Sequence, residues 1–148
     1  VSMNRKAVVT EHGGPEVIEV QEEPKPTISS TEILINMQAA PLNFAEIEKR
    51  RDTYFETFET PFVTGMEGAG QVVQVGDEVE DYAVGDKVSL LSEYGTNQDY
   101  MSYNVGKDYT ERENHGYVYN WRDADYPYDE IAAINISFTT SISSMKRA

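Results

Sequence analysis

Short apolar runs separated by turn residues dominate this chain, a pattern that predicts many strands and few helices. Residues 6–10 (Lys-Ala-Val-Val-Thr) form a β-prone run ending at the turn signal His12-Gly13-Gly14-Pro15. Val17-Ile18-Glu19-Val20 follows as a second strand and closes a hairpin-like unit. Residues 22–30 hold Pro24, Pro26 and two serines, so an extended loop is expected there. Residues 33–38 are the next strand, with apolar and polar positions alternating toward its end. A strand is expected at 70–75, and 87–91 is expected to pair with 100–105. The triplets Val75-Gly76-Asp77 and Val84-Gly85-Asp86 are expected to be two hairpin turns. Strands this short, with turn residues at such spacing, point to a barrel or sandwich.

Two segments depart from strand spacing. In residues 43–51, Ile47 follows Asn43 by four positions and Phe44 by three, which predicts a helix with Glu46, Glu48, Lys49, Arg50 and Arg51 crowding its other face. In residues 128–146, Ile131, Ile134, Phe138, Ile142 and Met145 follow helical spacing, and Asp129 and Glu130 suit a helix N-terminus. The many serines and threonines from Ser137 to Ser144 weaken that helix, so it needs a packing surface, on its own barrel or on a neighbour. Residues 106–128 are polar and tyrosine-rich without a clear period. Their aromatic series Tyr117, Tyr119, Trp121, Tyr126 and Tyr128 is compatible with an exposed strand face, a contact surface, or packing under the final helix.

Composition narrows the function classes. The chain has 148 residues, 39% of them hydrophobic, enough for a folded core. It has no cysteine, which excludes disulfides, thiolate metal sites and cysteine nucleophiles. Its 26 acids against 12 bases give a net charge of −14 and no sustained cationic stripe, so direct nucleic-acid binding is not expected. No stretch approaches the roughly 20 apolar residues of a membrane span, so a soluble chain is expected; its compartment is left open, with an intracellular setting (cytoplasm or organelle matrix) favoured. His12 and His115 both adjoin glycine and suit turns better than catalysis. Asp123, Asp125, Asp129 and Glu130 lack the glycine and final glutamate of a calcium loop. No Gly-x-Ser-x-Gly elbow is present.

The central run Thr64-Gly65-Met66-Glu67-Gly68-Ala69-Gly70, followed by the two Val-Gly-Asp triplets, resembles the barrel domain of the medium-chain dehydrogenase/reductase superfamily. Within it, Gly13-Gly14-Pro15-Glu16-Val17 resembles the opening of the zinc-independent quinone oxidoreductase (zeta-crystallin-like) branch. Pro41-Leu42-Asn43-Phe44-Ala45-Glu46 is similar to its Gly-Leu-Asn-Phe-x-Asp element, and Arg50-Arg51-Asp52-Thr53-Tyr54 to its Arg-x-Gly-x-Tyr segment. Glu130-Ile131-Ala132-Ala133 and the Thr140 region are similar to its Glu-Ala-Ala-Ala helix.

This resemblance implies a mainly β fold: a GroES-like, partly open β-barrel over residues 1–127, with a short helix after the third strand. A C-terminal helix over 128–148 leads, in the family, into a nucleotide-binding Rossmann domain that is not expected here. Zinc-dependent relatives place cysteine at Asn43 and histidine at Met66. Neither residue present is a suitable zinc ligand, so no metal is expected.

In the quinone oxidoreductase branch the positions of Asn43 and Tyr54 line the cleft facing the nicotinamide, and that of Thr140 approaches the cofactor. The resemblance therefore implies catalytic roles for Asn43 and Tyr54 and cofactor contacts for Asn43 and Thr140. Asn43 also suits a helix N-cap. Glu67 either ties down backbone amides or takes part in catalysis. Gly65, Gly68 and Gly70 allow special dihedrals or close backbone approach.

Departures from the branch are Asp52 in place of glycine, Glu48 in place of an aromatic, and Ser141-Ile142 after Thr140. No Gly-x-Gly-x-x-Gly opens a helix, so no cofactor is expected on this chain alone, and NADPH only where a nucleotide-binding domain is supplied elsewhere. Three functions follow: the substrate-side domain of a quinone or enone reductase, a non-catalytic accessory or scaffolding subunit with a protein partner, or a small non-redox lyase or cyclase.

Overall fold

The computed structural model describes residues 2–107, 111 and 116–147, apart from the side chains of Ser137, Phe138, Thr139 and Arg147. The strands are β1 (Met3–Val9), β2 (Ile18–Pro24), β3 (Glu32–Ala39), β4 (Phe62–Val63), β5 (Glu67–Val75), β6 (Lys87–Leu91), β7 (Tyr100–Asn104) and β8 (Tyr117–Asn120). α1 (Phe44–Arg51) follows β3, and α2 (Tyr128–Ala132) leads through a π-helical turn (Ile134–Phe138) into α3 (Thr139–Arg147). The strands form two sheets, ordered β2-β1-β4 and β7-β3-β5-β6-β8, and every strand pair is antiparallel. The fold is mainly β, a partly open barrel with few short helices.

β1 and β2 pair as the hairpin expected from the sequence, from Met3 opposite Pro24 to Val9 opposite Ile18. In β3, Ile33, Leu34 and Ile35 are all fully buried, because this central strand is covered on both faces. Ile33 and Ile35 join Val72, Val88, Leu90, Met101 and Tyr103 in the main core. Two register shifts bend β3 against β5, one between Leu34 and Ile35 and one between Met37 and Ala39. Gly70 lies within this close approach: a Cβ there would collide with the Asn36 carbonyl. Gly65 answers a different demand, a φ of 111°, which is why the run needs glycine twice for separate reasons.

Four expectations are corrected. Residues 87–91 and 100–105 do not pair: β6 lies between β5 and β8, whereas β7 pairs with β3. The intervening segment crosses the barrel, bonding to the first sheet through Ala7 N–H to Asn97 O at 2.9 Å and Asp99 N–H to Arg5 O at 2.9 Å. The two Val-Gly-Asp triplets are successive turns in the single β5–β6 connection, not two separate hairpins. The expected loop at 22–30 begins inside β2, which runs to Pro24.

The fourth correction concerns α1. Its polar residues face inward: Lys49 is 3% exposed, and Glu46 and Arg50 are buried with it, while Phe44 is 70% exposed. Helical periodicity had assigned the charges to water. Here a carbonyl and two aromatic rings receive Lys49, and an asparagine amide receives Glu46.

The tail is helical from Tyr128 but interrupted. Ile131 and Ala132 pack on Ala69 of β5 with Trp121 and Tyr128 around them. The π turn then advances the register, so Ile142 is half-buried and Met145 exposed. Phe138 falls outside the described side chains and His115 outside the described residues. The aromatic series divides: Tyr117, Tyr119 and Tyr126 are exposed, while Trp121 donates from Nε1 to Ser89 Oγ at 2.8 Å beneath the tail.

Candidate functional site

The site grows from the start of α1. Asn43 has extended backbone (φ −109°, ψ 150°) and occupies the N-cap. Its backbone N–H donates to Glu46 Oε2 at 2.6 Å, and the Glu46 N–H returns a bond to the Asn43 carbonyl at 3.1 Å. Burial pushes the Glu46 carboxyl up from its ordinary value, against the pull of Asn43, Asn97 and Lys49. The Asn43 side chain also links the helix start to β5, its Nδ2 donating to Glu67 Oε1 at 3.1 Å. Glu67, the fully buried first residue of β5, accepts the Ile136 backbone N–H on Oε2 at 2.9 Å. The carboxylate thus ties down a backbone amide, that of the π turn.

A second cluster forms at the other end of the same helix, which is about 12 Å long. Lys49 Nζ donates to the Glu93 carbonyl at 2.7 Å and lies 4.4 Å from the Phe58 ring centroid and 5.0 Å from that of Tyr54. Burial lowers the Lys49 ammonium from its ordinary value, while Glu93, Glu46 and Glu56 act in the opposite direction. Burial also raises the Tyr54 phenol, helped by the negative charges of Glu93, Glu48 and Glu56. The phenol is therefore protonated at neutral pH and available as a donor. Lys49, Tyr54, Phe55, Phe58, Met66 and Glu93 are among the residues that line a recess of about 150 Å³ here.

Of the sequence candidates, Asn43 is brought to Glu67 and Tyr54 to Lys49, at opposite ends of α1. Thr140 stands exposed on α3, its carbonyl accepting the Ser144 hydroxyl at 2.9 Å. His12 is a structural loop residue whose Nε2 donates to the Phe58 carbonyl at 2.8 Å. Lys49 escaped sequence reasoning because it sits among charges at helical spacing. The signal for it lay downstream, in the aromatic run Tyr54, Phe55, Phe58 and Phe62 that supplies its surroundings.

Among the described residues, no helix start offers a cradle for a dinucleotide diphosphate and no ligand set gathers for a metal. Among the described residues no three His, Cys, Asp or Glu side chains come together. The first turn of α1 is closed by Glu46, and that of α2 carries Asp129 and Glu130, which would repel phosphate. Gly65, Gly68 and Gly70 lead into a strand rather than a helix. Among the described residues no helix is long and apolar enough to cross a membrane.

Two antiparallel sheets closing into a partly open barrel, with one short helix after the third strand, define a GroES-like domain. Residues 29–117 match the family model of the alcohol dehydrogenase GroES-like domain, and the chain belongs to that family, within the medium-chain dehydrogenase/reductase superfamily. It is 36% identical over 92 residues to the zebrafish (Danio rerio) synaptic vesicle membrane protein VAT-1 homolog, covering 62% of this chain and 19% of that protein. It is 31% identical over 103 residues to a quinone oxidoreductase of Lama guanicoe, covering 69% of this chain and 31% of the relative. The Escherichia coli quinone oxidoreductase, solved with NADPH, superposes with a TM-score of 0.78 at 22% identity, covering 96% of this chain and 40% of that one. The chain thus spans less than a third of either sequence relative.

Proposed function

We propose that this chain is the substrate-side domain of a zinc-independent quinone or enone oxidoreductase, acting with NADPH held by a nucleotide-binding domain supplied elsewhere. The observation that carries this reading is the recess beside α1, where a protonated phenol adjoins a buried ammonium between aromatic walls. A flat carbonyl compound placed there would lie against Phe55 and Phe58 with its oxygen toward Tyr54. Reduction of an enone or quinone leaves negative charge on that oxygen. Tyr54 would donate the hydrogen bond or proton that meets it, and the Lys49 ammonium would favour the charge. Asn43 would hold a carbonyl or carboxamide with the amide proton not engaged by Glu67, and Thr140 would contact the cofactor from α3. When bound, NADPH would supply hydride; this chain would orient the acceptor.

Titration of the chain with NADPH and, separately, with 1,4-naphthoquinone tests the proposal. NADPH alone should show no micromolar binding. The quinone should shift the NMR signals of Tyr54 and Met66, with Tyr54→Phe weakening it about five- to tenfold. Micromolar NADPH binding, or quinone affinity indifferent to both Tyr54→Phe and Lys49→Met, would sink the reading.

A second reading, a non-catalytic accessory subunit, is favoured by the exposure of Leu42, Phe44 and Phe55 on and beside α1. Recovery of a stoichiometric protein partner that is lost in Phe44→Glu, with no quinone binding, would favour it over the first.

A further inference from the structure

The recess beside Tyr54 keeps its positive charge inside and its negative charges around the mouth. Lys49 is 3% exposed, bonded to the Glu93 carbonyl at 2.7 Å and covered by the Phe58 and Tyr54 rings. A cation so enclosed acts chiefly on a group brought against it. Glu56 is exposed and Glu93 half-buried, and both line the recess. Their carboxylates lie near enough to favour the charged form of Lys49 and to oppose ionisation of the Tyr54 phenol, where Glu48 joins them. Three carboxylates therefore stand around a recess that holds one ammonium. Phe55, next to Glu56 and 86% exposed, marks the open side. The space of about 150 Å³ has room for roughly five heavy atoms at about 30 Å³ each. It takes the carbonyl edge of a ring and leaves the rest of a two-ring acceptor at the mouth.

We propose that this recess selects uncharged or cationic acceptors and rejects anionic ones, with Glu56 as the chief determinant. The inference rests on reading the recess as the acceptor site of a quinone or enone reductase. An anionic substituent on the part of the acceptor left outside would lie beside the carboxylates and be repelled; a cationic one in the same place would be attracted. The chain's net charge of −14 acts in the same direction at longer range. Selection at the mouth does not conflict with the chemistry inside, because Lys49 and Tyr54 meet negative charge only as it develops on the acceptor oxygen.

The test is titration of the 148-residue chain with 1,4-naphthoquinone and with its 6-sulfonate and 6-trimethylammonio derivatives, followed by the NMR signals of Tyr54 and Met66. The sulfonate should bind about five- to thirtyfold more weakly than the parent, and the cation at least as tightly as the parent. The spread between cation and sulfonate should contract at least about twofold between about 20 mM and about 500 mM salt. Glu56→Gln should contract it about two- to fivefold at the lower salt. Glu59→Gln, which removes the same charge from an exposed position outside the recess, should leave the spread as it is. Sulfonate affinity equal to the parent's, equal weakening of sulfonate and cation, or a spread unmoved by Glu56→Gln would overturn the inference and leave the acceptor-site reading standing. Absence of binding by the parent quinone would overturn both.

Discussion

The half-buried Asn43 amide and the fully buried Glu67 carboxylate, 24 residues apart, meet at 3.1 Å. Through its other oxygen Glu67 holds Ile136, 69 residues further along. One carboxylate therefore joins the start of α1, the first residue of β5 and the π turn.

Glu67→Gln should expose the importance of that junction. Glutamine offers one acceptor and one NH2, so one of the two existing donors would face another donor. The expected cost is about 1–3 kcal/mol in urea unfolding, with faster hydrogen exchange at the Ile136 amide. Asn43→Ala combined with Glu67→Gln should fall short of the sum of the single effects by at least about 0.5 kcal/mol. Additive losses would show that the pair does not act together.

Asp52 should be improvable. It closes α1 in the left-handed region, at φ 56° and ψ 38°, a conformation that favours glycine. An aspartate there bears the steric cost of that conformation and places a negative charge at the negative end of the helix. Asp52→Gly relieves both, offset by glycine's greater freedom in the unfolded chain. A gain of about 0.5–1 kcal/mol in chemical denaturation is expected, and a loss would contradict the account.

Asp86 governs stability in acid. Burial pushes its carboxyl up. Donors at Arg122 (2.5 Å), Ala83 N–H (2.9 Å) and Asn120 (2.8 Å) outweigh that and hold it below the usual carboxylate range. A depressed folded-state value stabilises the fold above the unfolded value of about 3.9, and this stability is lost as pH falls through the folded value. Asp86→Asn should therefore be about 1–3 kcal/mol less stable at pH 7, with the gap closing below about pH 4. A gap of constant size from pH 7 to pH 3 would disprove this. Asp99 is shifted in the same direction by Arg5, but that arginine is largely exposed and the pair should contribute little.

The strands at 6–10, 17–20, 33–38 and 70–75 were visible in the sequence because each carries its own period and turn signals. Pairing was less visible. The partner of Lys87–Leu91 is decided by where the chain crosses the barrel, which no local pattern records. Strand β8 was legible only as one of several readings of the alternating Tyr117 and Tyr119, because exposed tyrosines give little apolar contrast. The inward turn of Glu46, Lys49 and Arg50 was also illegible. Periodicity assigns ions to solvent unless buried partners are known, and here the partners are Glu93, Phe58 and Asn97, distant along the chain. The same limit concealed Lys49 from the candidate site, whereas Asn43 and Tyr54 entered as candidates by resemblance.

The segment between β6 and β7 is bonded to β1 and to Thr64, and Asp99 at its end meets an arginine 94 positions earlier. None of these closures can form until the chain has emerged from the ribosome past Asp99. The domain thus belongs with architectures that assemble over about milliseconds to seconds, and its nascent form must travel with the seam still open.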